Sequence, residues 1–183
     1  DLPTPLKPGQ KFIFNLDWSY KIADRMTKGG RGGYELVDGN HLFTMAQWFP
    51  RLCVYSDFQG WQNHQFTGRG EFALAFGNYN VQLTVPADHV VLSTGECQNY
   101  PQVLTPAQMA RWTKAQTATE PVEIVTLEEA KKAEQGKSTQ KKTWIYKADN
   151  VRDFAWTSSR KYVWDAMPAY VEGKKVMCMS GYG

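Results

Sequence analysis

Read as apolar and polar positions, the chain alternates with a period of two in several segments. In "QKFIFNLDWSYKI", Phe12, Phe14 and Leu16 fall on one side, with Lys11, Asn15 and Asp17 largely on the other. That pattern predicts a half-buried strand, entered from an amino-terminal stretch that Pro3, Pro5 and Pro8 keep extended. "EFALAF" and "YNVQLTV" repeat the alternation through Phe72, Leu74 and Phe76 and then Tyr79, Val81, Leu83 and Val85. Gly77-Asn78 between them predicts either a two-residue hairpin or a bulge in one long strand. "PADHVVLSTGE" adds a turn and a short strand. Further on, "KTWIYKA", "DFAWTSS", "KYVWDAM", "AYVEG" and "KKVMCMS" read as strands, the last two joined by a glycine turn.

The period changes only in the middle. Thr105-Pro106-Ala107-Gln108 combines an N-cap threonine, a proline at the first helical position and a capping-box glutamine, which predicts a helix of about three turns through "AQMARWTKAQ". A second box, Thr126 to Glu129, opens "LEEAKKAEQG", and the closing glycine ends a short surface helix. Residues 101–141 therefore read as a helical insertion in a chain of about nine or ten strands. The fold class expected is all-β, a β-sandwich or saddle-shaped mixed sheet with a short helical insertion, in a single domain spanning 1–183.

Composition narrows the partners. The 183 residues are 42% hydrophobic and 21% charged, and no apolar run approaches the roughly 18 residues of a membrane span, so none is expected. The net charge is +3, and its densest lysines, in "KKAEQGKSTQKK", are separated by glutamate, glutamine and serine. This is the pattern of a solvated loop or helix end, and without an aromatic-interleaved basic stripe no nucleic-acid partner is expected. Cys53, Cys97 and Cys178 are odd in number, far apart and without C-x-x-C spacing, which suggests core-type thiols. The opening "DLPTPLKPGQ" lacks an initiator methionine and "VMCMSGYG" ends as though within a strand, so a piece of a longer protein is expected.

Candidate chemistry is sparse. No H-E-x-x-H pair sets two imidazoles one helical turn apart for a metal, and His41, His64 and His89 are isolated among turn-type or polar residues. No G-x-S-x-G elbow is present, and no cysteine has a histidine beside it in sequence. Glu128 and Glu129 fall on the surface helix, where solvation explains them. The glycine-rich "TKGGRGGYELVDGN" lacks the G-K-[ST] ending of a phosphate loop; its Asp38-Gly39 step suits a hairpin turn. Trp48, Trp61, Trp112, Trp144, Trp156 and Trp164 are enough for a sugar-binding platform, although tryptophans in strands more often pack the core. On these residues alone, no catalytic or metal-ligating residue is assigned.

Four segments, in order, carry a resemblance: "LFTMAQWFPRLCVYSDFQGW", "NVQLTVPADHVVLSTGE", "KTWIYKADNVRDFAWTSSRKYVWDA" and "VEGKKVMCMSGYG". Together they resemble the amino-terminal β domain of zinc aminopeptidases related to aminopeptidase N and leukotriene hydrolase, above all the bacterial branch. The resemblance runs from about Phe12 to the end, apart from the glycine-rich loop and the insertion. It implies a following thermolysin-like catalytic domain that carries the zinc ligands, so zinc is expected there and no cofactor in this chain. It also implies that Gln47, last in Thr44-Met45-Ala46-Gln47, reaches the cleft and holds the free α-amino group of a peptide substrate. Two departures stand out: Met45 replaces the family's glutamine, and "YSDFQGW" replaces a F-P-C-x-D-E-P segment.

The function implied is that of a non-catalytic domain of a metallopeptidase, inactive alone, with its own catalytic domain and the peptide as partners. The related branch points to the periplasm or cell envelope. The alternatives are a free-standing β-sandwich binding module for carbohydrate or protein, and a structural spacer.

Overall fold

The computed structural model describes residues 2, 4–65, 67, 68 and 73–183. After Asp24, whose carboxylate accepts from the Met26 N–H at 2.9 Å, a short helix α1 (Arg25–Lys28) leads into β1 (Gly33–Val37) and β2 (Asn40–Met45). The turn between these strands is Asp38-Gly39, with φ of 49° and 72°. Two successive positive values are the primed geometry that matches strand twist, as the Asp-Gly step predicts. β3 (Tyr55–Ser56) and β4 (Gly60–Trp61) form a small hairpin of their own.

β5 (Gly77–Pro86), β6 (Val90–Ser93) and β7 (Glu96–Cys97) precede the insertion, which holds α2 (Tyr100–Val103), α3 (Pro106–Ala115), β8 (Val122–Val125) and α4 (Leu127–Gly136). β9 (Lys141–Val151), β10 (Trp156–Ser159), β11 (Val163–Val171) and β12 (Lys174–Tyr182) complete the chain. The strands form sheets ordered β1-β2-β10-β6, β5-β9-β7, β12-β11-β8 and β3-β4. Their ladders are antiparallel, with one isolated parallel bridge between Asp24 and Tyr34. The fold is all-β with a short helical insertion.

Both capping boxes form as their sequences predict, at Thr105/Gln108 and Thr126/Glu129. The left-handed residue that ends α4 is Lys137, φ 42°, one position beyond the glycine. The insertion is not purely helical, because β8 pairs with β11 and places Ile124 in the core. Gly77-Asn78 opens β5, with a register shift before Tyr79, so the bulge is formed there rather than a hairpin. Of "EFALAF", residues 73–76 form no strand and the preceding two lie outside the described residues. β11 runs through Pro168: its pairing with β8 stops at Ala166, leaving one side open where a missing N–H disturbs no ladder.

The largest correction is at the start. Residues 11–23 form no strand. Ile13 is 84% exposed, and Phe12, Phe14 and Leu16 are each more than half exposed. Alternation supplies a face, but a strand also needs a neighbour along its length, and among the described residues this stretch joins no ladder, with a backbone bond to β1 only at its end, where the Ala23 carbonyl accepts from the Tyr34 N–H at 2.9 Å. Its rings instead stack on each other, Phe12 on Phe14 at 5.9 Å and Trp18 on Tyr20 at 5.5 Å.

The core lies where the sheets meet the insertion. Trp144 and Tyr146 from β9, Trp164 from β11, Ile124 from β8, Val91 from β6 and the loop residue Phe154 are essentially without exposure. Each such side chain contributes about 1.5–3 kcal/mol by leaving water. The Tyr146 hydroxyl donates to the Val91 carbonyl at 2.8 Å, which ties β9 to β6 across the core. At Gly95, φ 83°, an added Cβ would lie 2.1 Å from the Lys147 carbonyl oxygen, so the approach of β7 to β9 requires glycine. No helix among the described residues is long and apolar enough to cross a membrane.

Candidate functional site

Gln47 sits just past the end of β2, in the loop that leads to Arg51. Its backbone is left-handed, φ 52°, a region that costs an ordinary side chain about 1–2 kcal/mol. The surrounding contacts hold it there. The Gln47 N–H donates to Asp153 Oδ2 at 3.0 Å, and the Arg51 guanidinium donates to Asp153 Oδ1 at 3.1 Å. One carboxylate therefore closes both ends of the loop. Beside it, Trp48 Nε1 donates to the Phe154 carbonyl at 2.8 Å, and the indole packs edge-on against Trp156. Phe49 packs against Tyr79, and Arg51 lies over the Phe49 ring at 5.4 Å.

This clamp fixes the backbone and leaves the amide unused. Among the described residues the half-buried Gln47 side chain has no hydrogen-bond partner, and it lines two cavities. One, about 380 Å³, is walled by the glycine-rich segment, Tyr20, Met45 and Trp48. The other, about 280 Å³, is walled by Phe49, Arg51, Cys53 and His64. Of the glycines in the first wall, Gly33 is required by close approach: a Cβ there would meet the Ala23 carbonyl oxygen at 2.7 Å. A side-chain amide in this position can accept from a cationic N–H through Oε1 and donate through Nε2.

Asp153 and Arg51 were missed as supporting residues in the sequence, although both lie in segments that carry the resemblance. Their only sequence signal is opposite charge, and 102 residues separate them.

The other candidates scatter. His41 is exposed on β2 and stacks on Phe43 at 5.6 Å; His64 is exposed. His89 is 2% exposed, with Nδ1 at 2.8 Å from the Ser158 hydroxyl. Burial, reinforced by the Arg160 guanidinium, pulls its pKa down to about 4, so the ring is neutral at ordinary pH. Among the described residues no three His, Cys, Asp or Glu side chains gather as metal ligands. Cys53 and Cys178 are exposed and Cys97 is half-buried; all are free thiols. Of the tryptophans proposed for a platform, Trp144 and Trp164 are buried, and Trp48, Trp112 and Trp156 pack against the core. Trp61 alone of that group is well exposed, at 60%, and its ring meets Tyr55 at 5.2 Å.

Compared with family models, characterised proteins and solved structures, the chain matches none.

Proposed function

We propose that this chain is the non-catalytic β domain of a zinc aminopeptidase-like metallopeptidase, forming one wall of the substrate cleft. Gln47 holds the peptide's free α-amino group in this reading. The observation that carries it is the contrast within one residue: a strained backbone clamped through Asp153, and a side-chain amide left without a partner at the edge of two cavities. Strain that the surroundings enforce is common where a side chain must be presented to a ligand. The ordered sequence resemblance supplies the class of enzyme.

An α-ammonium donates to the amide oxygen in a charge-assisted bond, and the amide adds no charge of its own. Zinc, held by the catalytic domain, would supply activation of water and polarisation of the scissile carbonyl. The part played by this chain is orientation of the amino end, which sets where the first peptide bond lies. Losing one such bond costs about 1.5–3 kcal/mol, roughly ten- to a hundredfold in kcat/KM. Gln47→Ala in the full-length protein should show that loss on aminoacyl chromogenic substrates. An unchanged kcat/KM removes the anchoring role.

A second reading, a carbohydrate-binding module, is favoured by one observation, the exposed Tyr55–Trp61 pair on the β3–β4 hairpin. It requires a fluorescence response to glycans that Trp61→Ala abolishes.

A further inference from the structure

Beneath the insertion, between α3, α4 and the start of β9, lies a cavity of about 290 Å³ that shares no residue with the Gln47 site. Its wall carries two acidic and two basic side chains, but their pairing leaves one cation over. In its wall Arg160 is taken by Asp88, at 3.0 and 3.4 Å. Glu129 is taken by Arg111, at 2.5 Å, and by the Thr126 N–H. Lys142 is left over. Its ammonium donates to the Val103 carbonyl at 3.1 Å and lies over the Trp144 ring at 5.0 Å, and among the described residues it forms no salt bridge. An ammonium has three N–H donors, so two remain.

A second donor, beside the ammonium but without exposure, is also unmet. Trp144 is wholly buried, and its Nε1 has no hydrogen-bond partner. The buried N–H groups of Trp156 and Trp164 are unpartnered as well, but neither indole lines this cavity. Lys142 thus faces a wall in which the polar Thr105 and Gln108 stand beside an aliphatic patch of Val90, Val103, Leu104, Val125 and Ala130. A buried charge without a counter-ion is costly, and an anion that enters restores the balance. The cost is visible in Lys142, whose burial pulls its pKa down to about 8 against the opposing pull of Asp88.

We propose that this cavity is a binding site for a small aliphatic monocarboxylate, its carboxylate on Lys142 and its hydrocarbon end on the aliphatic side chains. The volume, near the lower bound of ~300 Å³ for small-molecule pockets, limits the ligand to a short or branched chain.

The test is titration of the ¹⁵N-labelled chain with isovalerate, following the indole N–H resonance of Trp144, assigned by its loss in Trp144→Phe. The resonance should shift and saturate in the millimolar range. Isovaleramide, of the same shape without the charge, should bind at least about tenfold more weakly, the factor a charge-assisted bond supplies. Lys142→Met should weaken isovalerate to the level of the amide, and Gln47→Ala should leave it unchanged. No shift with isovalerate, or equal shifts with acid and amide, overturns the proposal. The acid–amide comparison uses the wild-type chain and stands even if Lys142→Met fails to fold.

Discussion

At the scale of the residue, Gln47 combines two properties that separate under substitution. Its left-handed backbone costs about 1 kcal/mol or more for any side chain with a Cβ and nothing comparable for glycine. Gln47→Gly should therefore raise the thermal midpoint by roughly 2–4 °C, the shift that 1 kcal/mol makes in a domain of this size. Gln47→Ala, which keeps the strain, should leave it near wild type. Both remove the amide and with it the anchoring group. A midpoint that falls in Gln47→Gly would mean that the side chain stabilises the fold, and its role in binding would lose its structural support.

At the scale of the element, the loop after β2 depends on Asp153. Asp153→Ala leaves the Gln47 N–H without its acceptor and a largely buried Arg51 without its counter-ion, with the Ala75 carbonyl still accepting from it at 3.2 Å, which should destabilise the chain by about 2–4 kcal/mol in urea unfolding. Asp153→Asn, which keeps one acceptor oxygen, should lose less. Equal losses would assign the effect to packing alone. Legibility in sequence divides along the same line. The Asp38-Gly39 turn and both capping boxes were readable because their chemistry is local, within a few residues. β9 was readable from alternation, since it buries one face, whereas β12 was readable from its short apolar run after a glycine turn. The segment at 11–23 has the same alternation but no paired neighbour, and nothing local encodes a neighbour's presence. β8 was hidden because "VEIV" is too short to show a period among the surrounding helix signals. The Asp153 clamp was hidden because it joins residues about a hundred positions apart.

At the scale of the whole molecule, buried titratable groups set the pH range of stability. The unfolded chain protonates His89 near pH 6.5, whereas the folded chain resists until about pH 4. Stability is therefore complete above pH 6.5 and declines as pH falls toward 4, by about 3 kcal/mol at most. On the alkaline side, burial raises the pKa of Tyr100 and Tyr146 above the ordinary 10.0. Their contribution is present below pH 10 and is lost as the unfolded chain ionises above it. Lys142 works the other way, adding stability between about pH 8 and 10.5 as its buried charge is removed in the folded chain only at the lower value. Denaturation midpoints across this range should form a plateau whose acid edge flattens in His89→Gln. An acid edge unchanged in that variant would place the titrating group elsewhere.

Whether Gln47 reads a free amino terminus is decided by substrate discrimination. In the full-length protein, kcat/KM is compared for one peptide with a free and with an acetylated amino terminus, in wild type and in Gln47→Ala. Wild type should show a strong preference for the free amine that drops by about ten- to a hundredfold in the variant, the worth of one charge-assisted hydrogen bond. A preference that is the same in both proteins would contradict it.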